Sequence, residues 1–477
     1  MNTVVLRAMA NILKSGIPGF FVPLSLLLMG SPLFSQSIYR TACNGNLSRL
    51  DSLLQTTSIN TLDNRGRTLL HWAVACNQEK VLHVLMKQGI KTGVEDQEGM
   101  TPLHVAVQFA RKNLFDTLVR LQKDSSWIVR YGPAMMEKAL LRKKLPMVQK
   151  LTENGVDINQ ANDRGSVPLE IAQRMGLDTI ADFLLRMGAD ESKVRHFQPK
   201  GRYMGQEKPG MEPQLFAPNF ISTEESEFGS VFSKDNQEFF YAVDVNGKAE
   251  IRYSKRIDDQ WTPPKILLSH ERYGYNDPFL SPDENRLYFI SKRAMDGVSD
   301  PKDVDIWFVE RKEKTWSEPI HVGTNINSDG NEYYISFTDS GTMYFSSNNS
   351  AAAERKESDY DIYSSKFVNG RFQKAIALGP TVNTKNYEAD VCVAPDESYI
   401  IFCSERPDGF GRGDLYISFK NAEGTWSQSI NMGGAINTKH YEYCPFITQD
   451  GNYLFFTSQQ DIYWVSTQII DKIRKTK

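Results

Sequence analysis

A glycine recurs every 33 residues through the first part of the chain, and this spacing limits the folds available to it. Gly66, Gly99, Gly132 and Gly165 follow one another at that interval, and a second glycine series at 89, 155 and 188 keeps the same period. A repeat of this length predicts a solenoid, in which each short unit buries its apolar face only by stacking on its neighbours.

The residues beside these glycines resemble the signature of ankyrin repeats. The segment TPLH stands at 101–104, and TLLH at 68–71 is a close copy of it. Threonine suits a helix N-cap and proline suits the first helical turn, so the motif predicts where each helix begins. The resemblance implies that His71 and His104 are structural residues, which join adjacent repeats by hydrogen bonds.

The ankyrin resemblance covers about residues 37–193. It divides into a degenerate cap at 38–60, two well-formed repeats at 61–93 and 94–126, a degenerate repeat at 127–159 and a final one at 160–192. The fourth unit has Met135 to Lys138 where the others have TPLH or a close copy. Its hairpin geometry is therefore less certain to follow the ankyrin pattern, but its place in the stack is still expected. Ankyrin stacks present loop fingers and inner helices to other proteins, so the resemblance implies a protein partner.

A longer repeat begins at about residue 215. Each unit reads as a strand, a turn rich in Ser, Pro, Asp and Gly, and a strongly aromatic strand, which predicts a β-hairpin. A third strand follows each hairpin, and an aromatic residue then marks a fourth strand. The turn positions are Asp235, Asp283, Ser340, Asp396 and Asp450. The aromatic markers are Trp261, Trp316, Phe372 and Trp426.

Four strands per unit, repeated about every 50 residues, predict the blades of a β-propeller. The pattern resembles the WD-type propeller repeats of TolB-like periplasmic proteins over about residues 215–467. The last unit stops before its fourth strand, and the segment QLFAPNFIST at 214–223 can supply that strand and close the ring. We therefore predict a multidomain chain, an α-helical ankyrin solenoid followed by an all-β five-bladed propeller.

The segment before the repeats has the pattern of an export signal. Arg7 and Lys14 precede an apolar run at 19–30 and small residues near 35–37. The expected layout is a signal peptide at 1–36, ankyrin repeats at 37–193, a linker at 194–213 and the propeller at 214–470. We expect an exported protein in the periplasm or cell envelope of a Gram-negative bacterium, without a membrane span in the mature chain and without a lipoprotein anchor.

Acidic residues recur where the innermost strands of the blades begin. They are Glu227, Glu332, Glu388 and Glu442, with Asp277 just beyond the corresponding position of the second unit. Fivefold symmetry would bring them toward one mouth of the central channel. Three interpretations compete: bonds to the neighbouring blade's backbone that lock the ring, a ligand or cation site, and glycoside hydrolysis by paired carboxylates.

Other chemistry has little support in the sequence. The chain has no nucleophile-elbow, metalloprotease or phosphate-loop motif, and its five cysteines show no metal spacing. We expect no catalytic residue, metal or cofactor, and a net charge of −3 favours no nucleic-acid partner. Buried free thiols are expected, with a Cys392–Cys403 bridge as the alternative. The favoured function is a protein-binding scaffold; the alternative is a propeller that binds or cleaves envelope glycans.

Overall fold

A computed structural model describes residues 38–122, 125–245, 247–313, 315–349 and 359–475. The proposed signal peptide lies outside these residues. The chain divides near residue 196 into two compact units. The described helices of the first unit are α1 (Ile38–Asn44), α2 (Leu47–Leu54), α3 (Leu69–Ala75), α4 (Glu79–Lys87), α5 (Pro102–Gln108), α6 (Lys112–Gln122), α7 (Ser126–Leu141), α8 (Leu145–Glu153), α9 (Pro168–Arg174) and α10 (Asp178–Arg186).

These helices form five antiparallel pairs that stack around one continuous apolar core, as the ankyrin prediction requires. Thr68 and Thr101 cap α3 and α5, each in a capping box with the histidine three residues on. The His71 ring then donates from Nε2 to the carbonyl of Met100 in the next repeat, at 2.8 Å. The predicted structural role of His71 is therefore confirmed.

The fourth repeat departs from the others where the sequence loses its motif. Helix α7 is 16 residues long, and its first turns occupy the place of the finger hairpin, with Pro133 inside the helix. Glu137, rather than Lys138, takes the position of the motif histidine, because it stands 33 residues after His104 and its carboxylate accepts from Asn162 of the next repeat at 2.8 Å.

The cysteines of the first unit correct the expectation of free thiols. Cys43 and Cys76 form a disulfide between α1 and the end of α3. Their separation of 33 residues places them at equivalent positions of adjacent repeats, where stacking brings the two backbones together. Cys392, Cys403 and Cys444 are free and buried, so the alternative Cys392–Cys403 bridge is wrong: Cys403 faces Ala389 and Cys392 faces Ile401.

The second unit contains five four-stranded antiparallel blades. Blade 1 holds β2 (Ser226–Phe232), β3 (Glu238–Asp244), β4 (Ala249–Ile257) and β6 (Lys265–Leu268), with β5 (Gln260–Trp261) also on β4. Blade 2 holds β7 (Asn276–Leu280), β8 (Arg286–Ser291), β9 (Asp305–Glu310) and β10 (Ile320–His321). Blade 3 holds β11 (Glu332–Phe337), β12 (Met343–Ser347), β13 (Asp361–Ser365) and β16 (Ile376–Ala377), beside a ribbon of β14 (Phe367–Val368) and β15 (Arg371–Phe372).

Blade 4 holds β17 (Tyr387–Val393), β18 (Tyr399–Glu405), β19 (Asp414–Phe419) and β20 (Ile430–Asn431). Blade 5 holds β21 (Tyr443–Ile447), β22 (Tyr453–Ser458), β23 (Asp461–Ser466) and β1 (Gln214–Leu215), and helix α11 (Gln468–Lys475) follows it. The strand β1 pairs with β23, so the ring closes as the sequence predicts. Phe216, fully buried, continues the closure by donating its N–H to the carbonyl of Ile462 at 2.8 Å.

Two details of the second unit differ from the sequence expectations. The marker aromatics precede the fourth strands: Trp316 and Trp426 form bridges with the end of the third strand, and the fourth strands begin several residues later. Residues 197–213, expected as a linker, belong to the same compact unit as the propeller. Within them Tyr203 and Met204 are buried in its core, and no periodicity in the sequence signals this contact.

Candidate functional site

The four repeated glutamates lie at the start of the innermost strands and have no exposed surface. The carboxylates of Glu332, Glu388 and Glu442 each accept hydrogen bonds from two hydroxyl side chains. One belongs to the Ser or Thr four residues earlier, and the other to the serine opposite on the second strand. For Glu442 these are Thr438 at 2.8 Å and Ser458 at 2.7 Å.

An asparagine just before each of these Ser or Thr residues joins consecutive blades. Asn327, Asn383 and Asn437 each bind both the N–H and the carbonyl of a third-strand residue in the preceding blade, as a β-strand neighbour would. For Asn437 the partner is Leu415, at 2.8 and 3.0 Å. We call the segment from this asparagine to the glutamate the interblade latch. The sequence signal was the recurring Asn-Ser or Asn-Thr in the turns before blades 3, 4 and 5.

This geometry corrects the way in which the glutamates were expected to lock the ring. Their carboxylates accept hydroxyl groups from the latch and from their own blade, not the backbone of the neighbouring blade. The neighbouring blade is instead bound by the backbone N–H of the glutamate, which donates to Gly413 O at 2.9 Å in the case of Glu442. The carboxylates of Glu332, Glu388 and Glu442 are thus held within the blades. A ligand role for them stays a prediction.

Glu227 of the first blade is the least satisfied of the set. Its Oε1 accepts from Thr223 Oγ1, whereas Oε2 is buried and lacks a partner among the described residues. Burial, with the nearby Glu225 carboxylate, raises the pKa of Glu227 to about 8. Burial also raises the pKa of Glu332 to about 7. A neutral carboxyl in an apolar setting is the expected response to desolvation.

Asp277 belongs to a different ring of residues, two positions further along the innermost strands. Each blade has there one residue with left-handed backbone conformation, at a bulge in the pairing of its first two strands. These residues are Gly229, Asp277, Tyr334, Asp390 and Cys444. Glycine is needed in the first blade, because a Cβ on Gly229 would lie 2.8 Å from Asp277 Oδ1. We call this set the bulge ring.

The bulge ring brings together two carboxyls that the sequence separates by more than 100 residues. Cys444 Sγ lies 3.4 Å from Asp277 Oδ1, and the Cys444 backbone binds Asp390. Burial raises the pKa of Asp277 to about 7, and burial together with the Asp277 charge raises that of Asp390 to about 8. Asp390 was missed in the sequence, although it occupies the same repeat position as Asp277.

A cup opens at the opposite mouth of the channel from the glutamates. Its empty volume, counted to the open mouth, is about 510 Å³. Phe279, Phe337 and Phe446 from three blades line it, with ring centroids about 6 Å apart. At its rim Asp339 reaches Lys234 at 4.0 Å and Gln449 at 3.3 Å. These contacts join non-adjacent blades across the mouth.

The fingers of the ankyrin unit are rigid, because an Asp or Asn begins each one and accepts the following backbone N–H groups. Asp96 accepts from Glu98 and Met100, both at 2.9 Å. At the fourth repeat α7 replaces the finger and presents Val129, which is 77% exposed. The adjoining Arg130 pairs with Glu95 of the preceding finger at 2.8 Å. The exposed helical turn therefore interrupts the finger row, which resumes in the last repeat at Asn162.

Stacked fingers and a closed five-bladed ring define a chain of an ankyrin-type solenoid and a propeller, and the comparisons with known proteins agree for the first unit. Residues 38–130 match the family model described as ankyrin repeats in three copies. The chain is similar to the nuclear factor NF-kappa-B p105 subunit of Gallus gallus, at 24% identity over 37% of this chain and 18% of that protein.

Two further relatives are ankyrin repeat proteins by name. Ankyrin repeat domain-containing protein 13C of Homo sapiens is 29% identical over 19% of this chain and 16% of its own length. Ankyrin repeat protein nuc-2 of Neurospora crassa is 27% identical over 30% of this chain and 14% of its own length. The chain thus spans less than a fifth of each of these eukaryotic relatives.

Two features are absent from the described residues. None of the helices they form has the length and apolar character needed to cross a membrane. Within the same residues, no three His, Cys, Asp or Glu side chains are grouped so that they could hold a metal ion.

Proposed function

We propose that this chain is a protein-binding scaffold whose partner docks on the finger row of the ankyrin unit. The observation that carries the proposal is the rigid finger row, which carries the exposed apolar side chain of Val129 at its fourth position. Stacked repeats form extended surfaces of this kind, on which other proteins bind. The match of residues 38–130 to the ankyrin-repeat family model supports a protein partner.

We further propose that the scaffold is exported and works in the periplasm or cell envelope of a Gram-negative bacterium, with a propeller of the TolB-like type. The charged and apolar pattern at residues 7–37 supports export. The Cys43–Cys76 disulfide supports it independently, because structural disulfides persist in oxidising compartments. The hydrolytic alternative draws no support from Glu332, Glu388 and Glu442, whose carboxylates are occupied inside the blades.

A capture experiment with the full chain tests the scaffold function. The chain is immobilised and exposed to an extract of the cell envelope of the source organism, and bound proteins are cross-linked and identified. Val129→Glu should abolish capture of the specific partner. Lys87→Glu, an exposed change on the outer helix α4, should leave it intact. Equal capture by both variants would refute the finger-row interface, and capture of glycan without protein would refute the scaffold.

A further inference from the structure

Blade 4 contains an arginine that is neutralised within its own blade. Arg406 donates from Nε to Ser404 Oγ at 3.0 Å, and from a terminal nitrogen to Glu388 Oε1 at 3.4 Å. Its guanidinium also lies over the ring of Tyr416, 4.1 Å from the centroid. The carboxylate, the hydroxyl and the aromatic face together satisfy the cation.

Blade 2 repeats this arrangement with one member changed. Ser291 and Ser404 lie in the last two residues of the second strand and face the aspartate that begins the third strand. Arg293 follows Ser291 by two residues, as Arg406 follows Ser404. Trp307 is the third residue of β9, as Tyr416 is of β19. The changed member is Tyr275, which stands where blade 4 has Glu388.

The loss of the carboxylate rearranges the bonds around Arg293. The Ser291 hydroxyl donates to the carbonyl of Gly274 at 2.8 Å, and its oxygen accepts from the backbone N–H of Arg293 at 3.2 Å rather than from the guanidinium Nε. Arg293 donates from a terminal nitrogen to the Tyr273 hydroxyl at 2.6 Å. Its Nε is buried and has no acceptor among the described residues, and the same holds for the indole Nε1 of Trp307. Within those residues no carboxylate forms an ion pair with Arg293.

The residues around Arg293 indicate which kind of ligand would bind its guanidinium. The guanidinium lies 5.8 Å from the ring centroid of Trp307. The loop after β8 runs beside the guanidinium, because a Cβ on Gly297 would lie 2.6 Å from an Arg293 terminal nitrogen. This loop exposes Met295 and Val298 by 66% and 74%. A cation with unused donors is thus flanked by exposed apolar side chains.

We infer that the guanidinium of Arg293, which is partly exposed, is a receptor for an acidic side chain of a partner polypeptide, whose carboxylate replaces the one that blade 2 lacks. Charge complementarity selects the carboxylate, since a planar guanidinium binds it through parallel hydrogen bonds. The exposed Met295 and Val298 favour apolar residues on either side of that acid. The inference rests on the proposed scaffold function and adds a second docking point, on the propeller.

The test uses the full chain and a fluorescein-labelled peptide in which a pair of glutamates is flanked by leucines. Fluorescence anisotropy should show binding of this peptide and not of its glutamine counterpart. Arg293→Gln should weaken binding by about tenfold or more, because a charged pair is lost. Tyr275→Glu should weaken it as much by placing an internal carboxylate beside Arg293. Arg286→Gln should bind like the unmodified chain, since Arg286 is already paired with Glu310 at 3.0 Å.

Equal binding by the unmodified chain and the Arg293→Gln variant would overturn the inference, as would equal binding of the two peptides. Binding of a glucuronate-containing oligosaccharide without binding of the peptide would also overturn it, in favour of a sugar acid. Near-ultraviolet circular dichroism checks that the Tyr275→Glu propeller is folded; if it is not, Arg293→Gln decides alone. The Val129→Glu capture experiment is interpreted separately. Its failure would refute the scaffold function, whereas the peptide titration alone decides whether Arg293 binds an acidic side chain.

Discussion

Closure of the propeller by the segment at 214–223 predicts that Phe216 is among its costliest residues to truncate. The Phe216 ring is fully buried between blade 1 and blade 5. Its centroid lies 4.9 Å from that of Phe455 and 5.4 Å from that of Trp464. Removing a buried phenylalanine side chain costs about 3–5 kcal/mol, because contacts are lost and a cavity remains. We therefore expect Phe216→Ala to lower the free energy of unfolding of the propeller by about 4 kcal/mol.

For a unit of this size that loss corresponds to a fall in melting temperature of about 10 °C. Differential scanning calorimetry of the full chain measures it, with near-ultraviolet circular dichroism assigning the propeller transition through its buried aromatics. Phe410→Ala is the matched control: Phe410 is 54% exposed, and its loss should shift the transition by no more than about 2 °C. If Phe216→Ala shifts it no further than the control, the closing segment does not hold the ring together.

Three further perturbations follow from the described contacts. The pKa values of Asp277 and Asp390 are raised to about 7 and 8 in the folded state, which therefore keeps protons that the unfolded chain loses. The stabilisation that these two protonated carboxyls give the propeller is complete below about pH 4 and is lost as pH rises through 7 to 8. Urea midpoints should therefore fall from pH 5 to pH 8, and replacing both aspartates by asparagine should flatten this slope; an unchanged slope would contradict it. Cys76→Ser should cost the ankyrin unit about 4 kcal/mol in chemical denaturation, from the 33-residue loop that the disulfide closes, and a reductant should bring the unmodified chain to the same midpoint. Arg195→Ala should lower the melting temperature of the ankyrin unit by several degrees, because it leaves the buried Glu170 carboxylate without its 2.8 Å ion pair, whereas the exposed Arg186→Ala should not.

The repeats could be predicted from the sequence because the same capping, turn and strand residues recur in each unit. The TPLH capping box, the hairpin turns and the aromatic strands gave the stack, the five blades and the closing strand. The disulfide was not predicted, because the odd cysteine count argued against disulfide bonds. Only the stacking of adjacent repeats brings Cys43 and Cys76 together. The contact of Tyr203 with the propeller core was not predicted, because its segment lies outside the repeats and has no periodic pattern that would indicate burial.

The candidate sites were less predictable for a related reason. A repeated acid such as Glu442 attracts attention, yet repetition is what a shared structural bond produces, and its carboxylate is held within a blade. The informative positions were those where one blade departs from the others. Tyr275 in place of a glutamate leaves Arg293 without a carboxylate partner among the described residues. Asp390 and Asp277 occupy a bulge position that the other three blades fill with different residues. Their significance depends on cross-strand register, which a single sequence does not display.

The pairing of β1 with β23 also sets the order in which the chain can be completed during synthesis. The strand at Gln214–Leu215 leaves the ribosome about 250 residues before its partner at Tyr463–Trp464. Until then the first blade has an open side and no fifth blade to cover it, while the ankyrin stack can already form from local contacts. The propeller therefore folds late and as a whole, and its unpaired strand edges are the part of a nascent chain that a chaperone would need to shield.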